Sequence, residues 1–257
     1  MTIEDDAQPR NRPERQTALP FGSRRALRAG ARSLQTFGIM KSYVPDTHED
    51  IAMLGIDTML MLDDLRSFLD FSEQNIQWQK KRELHRVQRE CDKKLLENPD
   101  LGPTYSESHC EDVQRRFDSL VQRVRYASLI ALITTVERVA VAMRGFAESM
   151  DRSLPPRPSG KNIVVHLLDV FSQVGLGSEQ QVVLLETLTQ VRNCIVHAAG
   201  LIDEYEHGAQ LRSKLTDFDG IRVSLHDFWG QDTIEIDEGY LQRLLDDTKA
   251  WLVKLYR

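Results

Sequence analysis

From residue 46 to about 97, apolar or small positions recur at spacings of three and four: Ile51, Leu54, Thr58, Met61, Leu65, Phe68 and Ile76. That period predicts one long helix over 48–97. Beyond Ile76 the segment is charged on most faces, from Lys80 to Lys94, so its far end either projects from a bundle or pairs with another helix. The run Asn-Pro-Asp-Leu-Gly-Pro at 98–103 is a firm stop. A second stripe, Val113, Phe117, Leu120, Val124, Ile133, Val136, Ala140 and Met143, predicts a helix over 108–150. Between 127 and 136 it is apolar on nearly all sides, as expected of a central buried helix, and Glu137 and Arg138 close that run.

Residues 151–160 form a proline-rich linker, followed by a short predicted helix over 162–174 whose His166 reads as structural. Ser178 is a good N-cap with Glu179 behind it, and Leu184, Leu188, Val191, Ile195 and Ala198 form one apolar stripe up to a glycine stop at Gly200. This predicts a helix over 178–199. After Gly200 the pattern weakens. Ile221, Val223 and Leu225 alternate, as do Ile234 and Ile236, with Gly-Gln-Asp at 230–232 between them, which predicts a small hairpin over 221–236. A closing helix over 238–256 would bury Leu241, Leu244, Leu245, Thr248, Trp251, Leu252 and Leu255. The expected fold is all-α: an up-and-down helical bundle with two long helices, plus a small β-hairpin before the C-terminal helix.

Composition adds a boundary. Residues 1–47 are rich in Arg, Pro, Gln and Ala and poor in bulky apolar residues, so they are expected to be a flexible basic tail preceding a helical domain over 48–257. Arg24, Arg25, Arg28 and Arg32 cluster there, either as solvated charge or as a contact for nucleic acid or a partner. With a net charge of −6, the whole chain is not the basic scaffold of a tight nonspecific nucleic-acid binder, though a local basic cleft remains open. Three cysteines, Cys91, Cys110 and Cys194, form neither a disulfide framework nor a metal spacing, which fits a reducing cytoplasm. The apolar run at 127–136 is too short to span a membrane, and Glu4, Asp5 and Asp6 argue against a targeting leader.

The richest chemistry lies in 191–205, Val-Arg-Asn-Cys-Ile-Val-His-Ala-Ala-Gly-Leu-Ile-Asp-Glu-Tyr. At about 100° per residue, Asn193 and His197 project almost opposite Ile195. Glu186, Thr189 and Gln190 share that polar side, and Arg192 sits on its border. Cys194 projects away from His197 and reads as a small buried hydrophobe. The face opposite the core thus gathers an imidazole, an amide, a carboxylate and a guanidinium.

The pattern R-N-x-x-x-H at a helix end, followed by a glycine and an Ile-Asp-Glu-Tyr exit, resembles the HEPN superfamily over about 130 residues, from the helix around Glu137 to the C-terminus. The resemblance implies a helical bundle that acts as a metal-independent ribonuclease across a homodimer interface, without a cofactor. It implies Arg192 and His197 as the active pair and Asn193 as the polar residue after the Arg. One branch, which pairs with nucleotidyltransferase antitoxins, carries a Tyr two residues after the His; that position here is Ala199. Glu137, near a point where such bundles often carry a polar residue, would support the active face, or else be an ordinary surface Glu. RNA, an antitoxin or regulatory protein, and a role in toxin–antitoxin control or phage defence fit the resemblance. Two other readings use the same residues: a non-catalytic helical binding or regulatory module in which Arg192 pairs with Glu186 or an acidic residue of a neighbouring helix, and a scaffold whose charged helix 80–97 is the working surface.

Overall fold

The computed structural model describes residues 48–149, 179–225 and 230–255. The tail over 1–47, the linker 151–160, the helix expected at 162–174 with His166, and Ser178 lie outside the described residues.

Two long helices set the frame. Helix α1 spans His48–Glu97, the span its periodicity predicts, and at 1.5 Å per residue its 50 residues reach about 75 Å. A single-turn 3-10 helix, Pro99–Leu101, and Gly102 at φ +67° reverse the chain. Helix α2 then spans Pro103–Ser149. It begins five residues before the predicted start, because a proline is tolerated in the first turn, where its missing N–H has no helical acceptor. The two helices run antiparallel and are paired along their whole length. Lys80 Nζ meets Asp118 Oδ1 at 2.7 Å, Ser106 Oγ donates to Gln88 Oε1 at 3.3 Å, and Lys94 Nζ donates to Tyr105 Oη at 3.1 Å. The charged half of α1 is therefore a partner of α2 and not a free projection.

The buried line of α1 differs from the predicted stripe. Ile51, Leu54 and Thr58 are buried, but the line then passes through Leu62 and Leu69, leaving Phe68 half exposed. On α2, Val121 is buried in place of Leu120. A helix that keeps one neighbour over many turns buries positions repeating every 3.5 residues, so the contact line drifts away from a 3.6-residue stripe. Over 18 residues α2 has a mean hydropathy of 1.5, enough for a membrane-crossing helix by composition, yet half of that window is buried inside the protein. Leu129, Leu132, Ile133, Val136 and Val139 are its buried members and form the centre of the core.

Helix α3, Glu179–Ala198, and helix α5, Tyr240–Leu255, pack on that centre through Leu188, Val191, Cys194 and Ile195, and through Leu241, Leu244, Leu245, Trp251 and Leu252. Thr248, predicted to be in the buried face of α5, is half-buried. Between α3 and the hairpin lie two elements the pattern does not predict, a 3-10 turn at Ile202–Glu204 and helix α4 at Gly208–Leu215. Both are short, and they are held by burial of Ile202, Leu211 and Leu215.

The strands β1, Ile221–Leu225, and β2, Asp232–Ile236, pair antiparallel, with Ile221 opposite Ile236 and Val223 opposite Ile234. An isolated two-stranded hairpin is marginal in water. Here the outer edge of β2 is bonded to other elements. Gly200 O accepts from Ile234 N at 3.0 Å, and Tyr126 Oη donates to Ile234 O. Gln122 both donates to Ile236 O and accepts from Ile236 N, each at 3.0 Å, and Arg125 Nη1 donates to the same carbonyl at 2.7 Å. Arg125 is itself buried, and its Nε reaches Glu73 Oε1 on α1 at 2.6 Å. One turn of α2 thus takes the place of a third strand.

Candidate functional site

The site begins with how α3 ends. Cys194, buried on the core side, donates weakly to Leu201 O at 3.8 Å. Burial pushes its thiol up to about 12, so it stays protonated and is no partner for His197. The chain leaves the helix through two consecutive left-handed residues, Ala199 at φ +53° and Gly200 at φ +87°. Gly200 N donates back to Cys194 O at 3.3 Å. The predicted stop is thus shared with an alanine. Gly200 has a second reason to be glycine: a Cβ there would sit 2.6 Å from Tyr126 Oη.

Arg192 turns towards α2. Its Nη2 donates to Glu137 Oε1, with the two side chains 23% and 18% exposed. Glu137 is therefore not an ordinary surface Glu; it lies partly buried between two helices and is held there by a guanidinium. Arg192 Nε is buried with no hydrogen-bond partner among the described residues. The bond explains why the pair tolerates partial burial, because a charge-assisted contact offsets desolvation of both groups.

Asn193 is half-buried, with its side chain beside the Tyr205 hydroxyl. Burial pushes the Tyr205 phenol above its ordinary value, and the Asn193 side chain pulls it part of the way back. The Tyr205 ring meets the His207 ring edge-on at a centroid distance of 5.7 Å. Neither Tyr205 nor His207 was assigned a role from sequence. The 3-10 turn Ile202–Glu204 folds the acidic exit back so that a residue eight positions after His197 meets Asn193. The only sequence signal is the aromatic residue that ends the exit.

His197 lies in the last turn of α3, exposed to solvent and without a hydrogen bond among the described residues. Five residues from Arg192 along a helix, it is turned by about 140° from that side chain. The structure therefore joins Arg192 to Glu137, sets Asn193 beside Tyr205, and leaves His197 facing outward. Glu186 is not part of this group: its carboxylate is 4.0 Å from Lys214 Nζ on α4. Thr189, expected on the polar side, is buried, with its hydroxyl donating to Leu185 O at 2.8 Å. Among the described residues no three His, Cys, Asp or Glu side chains converge as metal ligands. No family model, curated protein or solved structure matches the chain.

Proposed function

We propose that the chain is a metal-independent endoribonuclease of the HEPN type. The observation that carries this reading is His197, an exposed imidazole with no intramolecular partner among the described residues, one turn after Asn193 on the helix whose Arg192 is oriented by Glu137. RNA supplies its own nucleophile. A base removes the 2′-hydroxyl proton, the 2′-oxygen bonds to phosphorus, and an acid protonates the departing 5′-oxygen, giving a 2′,3′-cyclic phosphate and a 5′-hydroxyl. Histidine titrates near neutrality and serves either role, and a guanidinium stabilises charge on the phosphoryl oxygens.

One imidazole cannot be acid and base in the same step. A two-fold homodimer through α3 brings a second His197 and a second Arg192 to the same cleft. Asn193, beside Tyr205, orients the phosphate or the imidazole. The reading needs no cofactor, takes RNA as substrate, and fits a cytoplasmic toxin or phage-defence role under an antitoxin or regulatory partner. Ile195 remains the control position, because a carboxylate there is buried in the core.

The pairing of Arg192 with Glu137 favours a second reading, in which the motif is structural and the bundle is a non-catalytic binding or regulatory module. Incubating the purified chain with total RNA in EDTA separates the two. His197→Ala melts like the wild type and loses cleavage by about 10²–10⁴, the usual contribution of a proton-transfer group. Arg192→Lys keeps a charge for Glu137 but not the planar fork, and it also loses most activity. Equal RNA degradation by wild type and His197→Ala would hand the site to the second reading.

A further inference from the structure

On the face of α1 turned away from the core, Met53, Ile56, Leu60, Phe68, Phe71 and Trp78 are each more than half exposed, Phe71 at 71%. At 100° per residue all six lie within about 60° of the Phe71 direction, forming one stripe along roughly half of the helix. Together they leave on the order of 600–700 Å² of apolar surface open, close to one side of a standard interface of about 800 Å². Scattered exposed apolar residues need no explanation, but a continuous stripe of this size marks a contact surface.

The charges on the same stripe are sorted by sign. Asp57 and Asp64 lie in its first half, and Arg82 and Arg89 follow Trp78. None of the four makes an ion pair among the described residues, although neighbouring charges on α1 do: Asp63 with Lys249, Arg66 with Asp246, Lys80 with Asp118, Glu83 with Arg116. Arg82 instead lies over the Trp78 ring at 5.6 Å, and Arg89 Nε donates to His85 O. A parallel pair of such helices would set Asp over Asp and Arg over Arg. An antiparallel pair whose two-fold passes near residue 73 sets Asp64 opposite Arg82, Asp57 opposite Arg89, and Phe68 opposite Trp78. Phe71 would then lie about one turn from its own copy across the two-fold, and Leu60, Ile56 and Met53 would lie over the aliphatic stems of Arg86, Glu90 and Lys93.

We infer that α1 is a self-association surface and that its occupant is a second copy of this chain, docked antiparallel through the 53–89 stripe. The contact is isologous, so the same residues serve both sides. The inference rests on α1 alone and does not depend on the ribonuclease reading.

Cysteine crosslinking in the full chain tests the register. In a Cys110→Ser background, with Cys91 and Cys194 buried, Asp64→Cys and Arg82→Cys are made singly. Mixing the two under mild oxidation gives a disulfide-linked dimer. Each alone gives none, because like positions lie eighteen residues apart, about 27 Å, far beyond the roughly 7 Å Cα separation a disulfide spans. Charge reversal adds an independent arm. Asp57→Arg with Asp64→Arg, and separately Arg82→Asp with Arg89→Asp, each weaken self-association about tenfold or more by sedimentation, and mixing the two variants restores it. A chain that stays monomeric, crosslinks between like positions, or a dimer lacking the 64–82 crosslink (as one through α3 would) overturns the inference.

Discussion

Replacing Gly200 with alanine tests the account of how α3 ends. The residue is at φ +87°, where a Cβ crowds the backbone at a cost of about 1–2 kcal/mol. The added Cβ would also stand 2.6 Å from Tyr126 Oη and 3.0 Å from its Cε2 and Cζ. Tyr126 cannot swing aside freely, because its hydroxyl is bonded to Ile234 O and burial holds the phenol protonated. Forcing an extra methyl into such a contact costs about 1–3 kcal/mol. Gly200→Ala should therefore lose about 2–5 kcal/mol, a fall of roughly 5–12 °C in Tm for a domain of this size. Urea unfolding gives the value, and a double-mutant cycle divides it. In a Tyr126→Ala background the same substitution should cost only the backbone share, about 1–2 kcal/mol. A loss below about 0.5 kcal/mol in the wild-type background, or an equal loss in both, would refute the steric half of the reasoning.

At the neighbouring position, Ala199→Gly should gain about 0.5–1 kcal/mol in the same assay, since φ +53° suits glycine and the relief exceeds the added freedom of the unfolded chain. Arg125→Ala should lose about 3–5 kcal/mol, because it strands the Glu73 carboxylate and removes a donor from Ile236 O; Glu73→Gln, measured in parallel, should lose clearly less. The Cys194 thiol is raised from 9.0 to about 12, so above pH 9 the unfolded chain ionises while the native state holds its proton. Stability should then fall between pH 9 and 12, by about 1.4 kcal/mol from this group at pH 10, and Cys194→Ala should flatten the slope by that amount.

The long helices were legible in the sequence because a 3.6-residue period repeated over a dozen turns outweighs any local exception. Which side of α1 is buried was less legible: the choice between Phe68 and Leu69 depends on a constant neighbour, and that neighbour lies beyond the turn at 99–102. Helix α4 left no readable period, since eight residues hold only Leu211 and Leu215 to bury. At the site, Arg192, Asn193 and His197 could be picked out because one helix carries all three. Their partners could not. Glu137 is 55 positions from Arg192, and a glutamate that closes an apolar run looks the same in sequence whether it meets water or a guanidinium. Tyr205 escaped for a related reason, as a 3-10 turn decides what it meets and three residues carry no pattern.

The bonded edge of β2 has a consequence for how the molecule opens. The amides of Ile234 and Ile236 point away from β1, where hairpin amides would ordinarily exchange with solvent, yet Gly200 O covers one and Gln122 Oε1 the other. Neither can be released by fraying of the hairpin alone: the first requires the end of α3 to let go, and the second requires a turn of α2 to move. Hydrogen exchange at the Ile234 amide therefore reports on the helix end that carries His197 and exchange at the Ile236 amide on α2, so the hairpin acts as a latch between the two, with its register set by the two-way bond to Gln122.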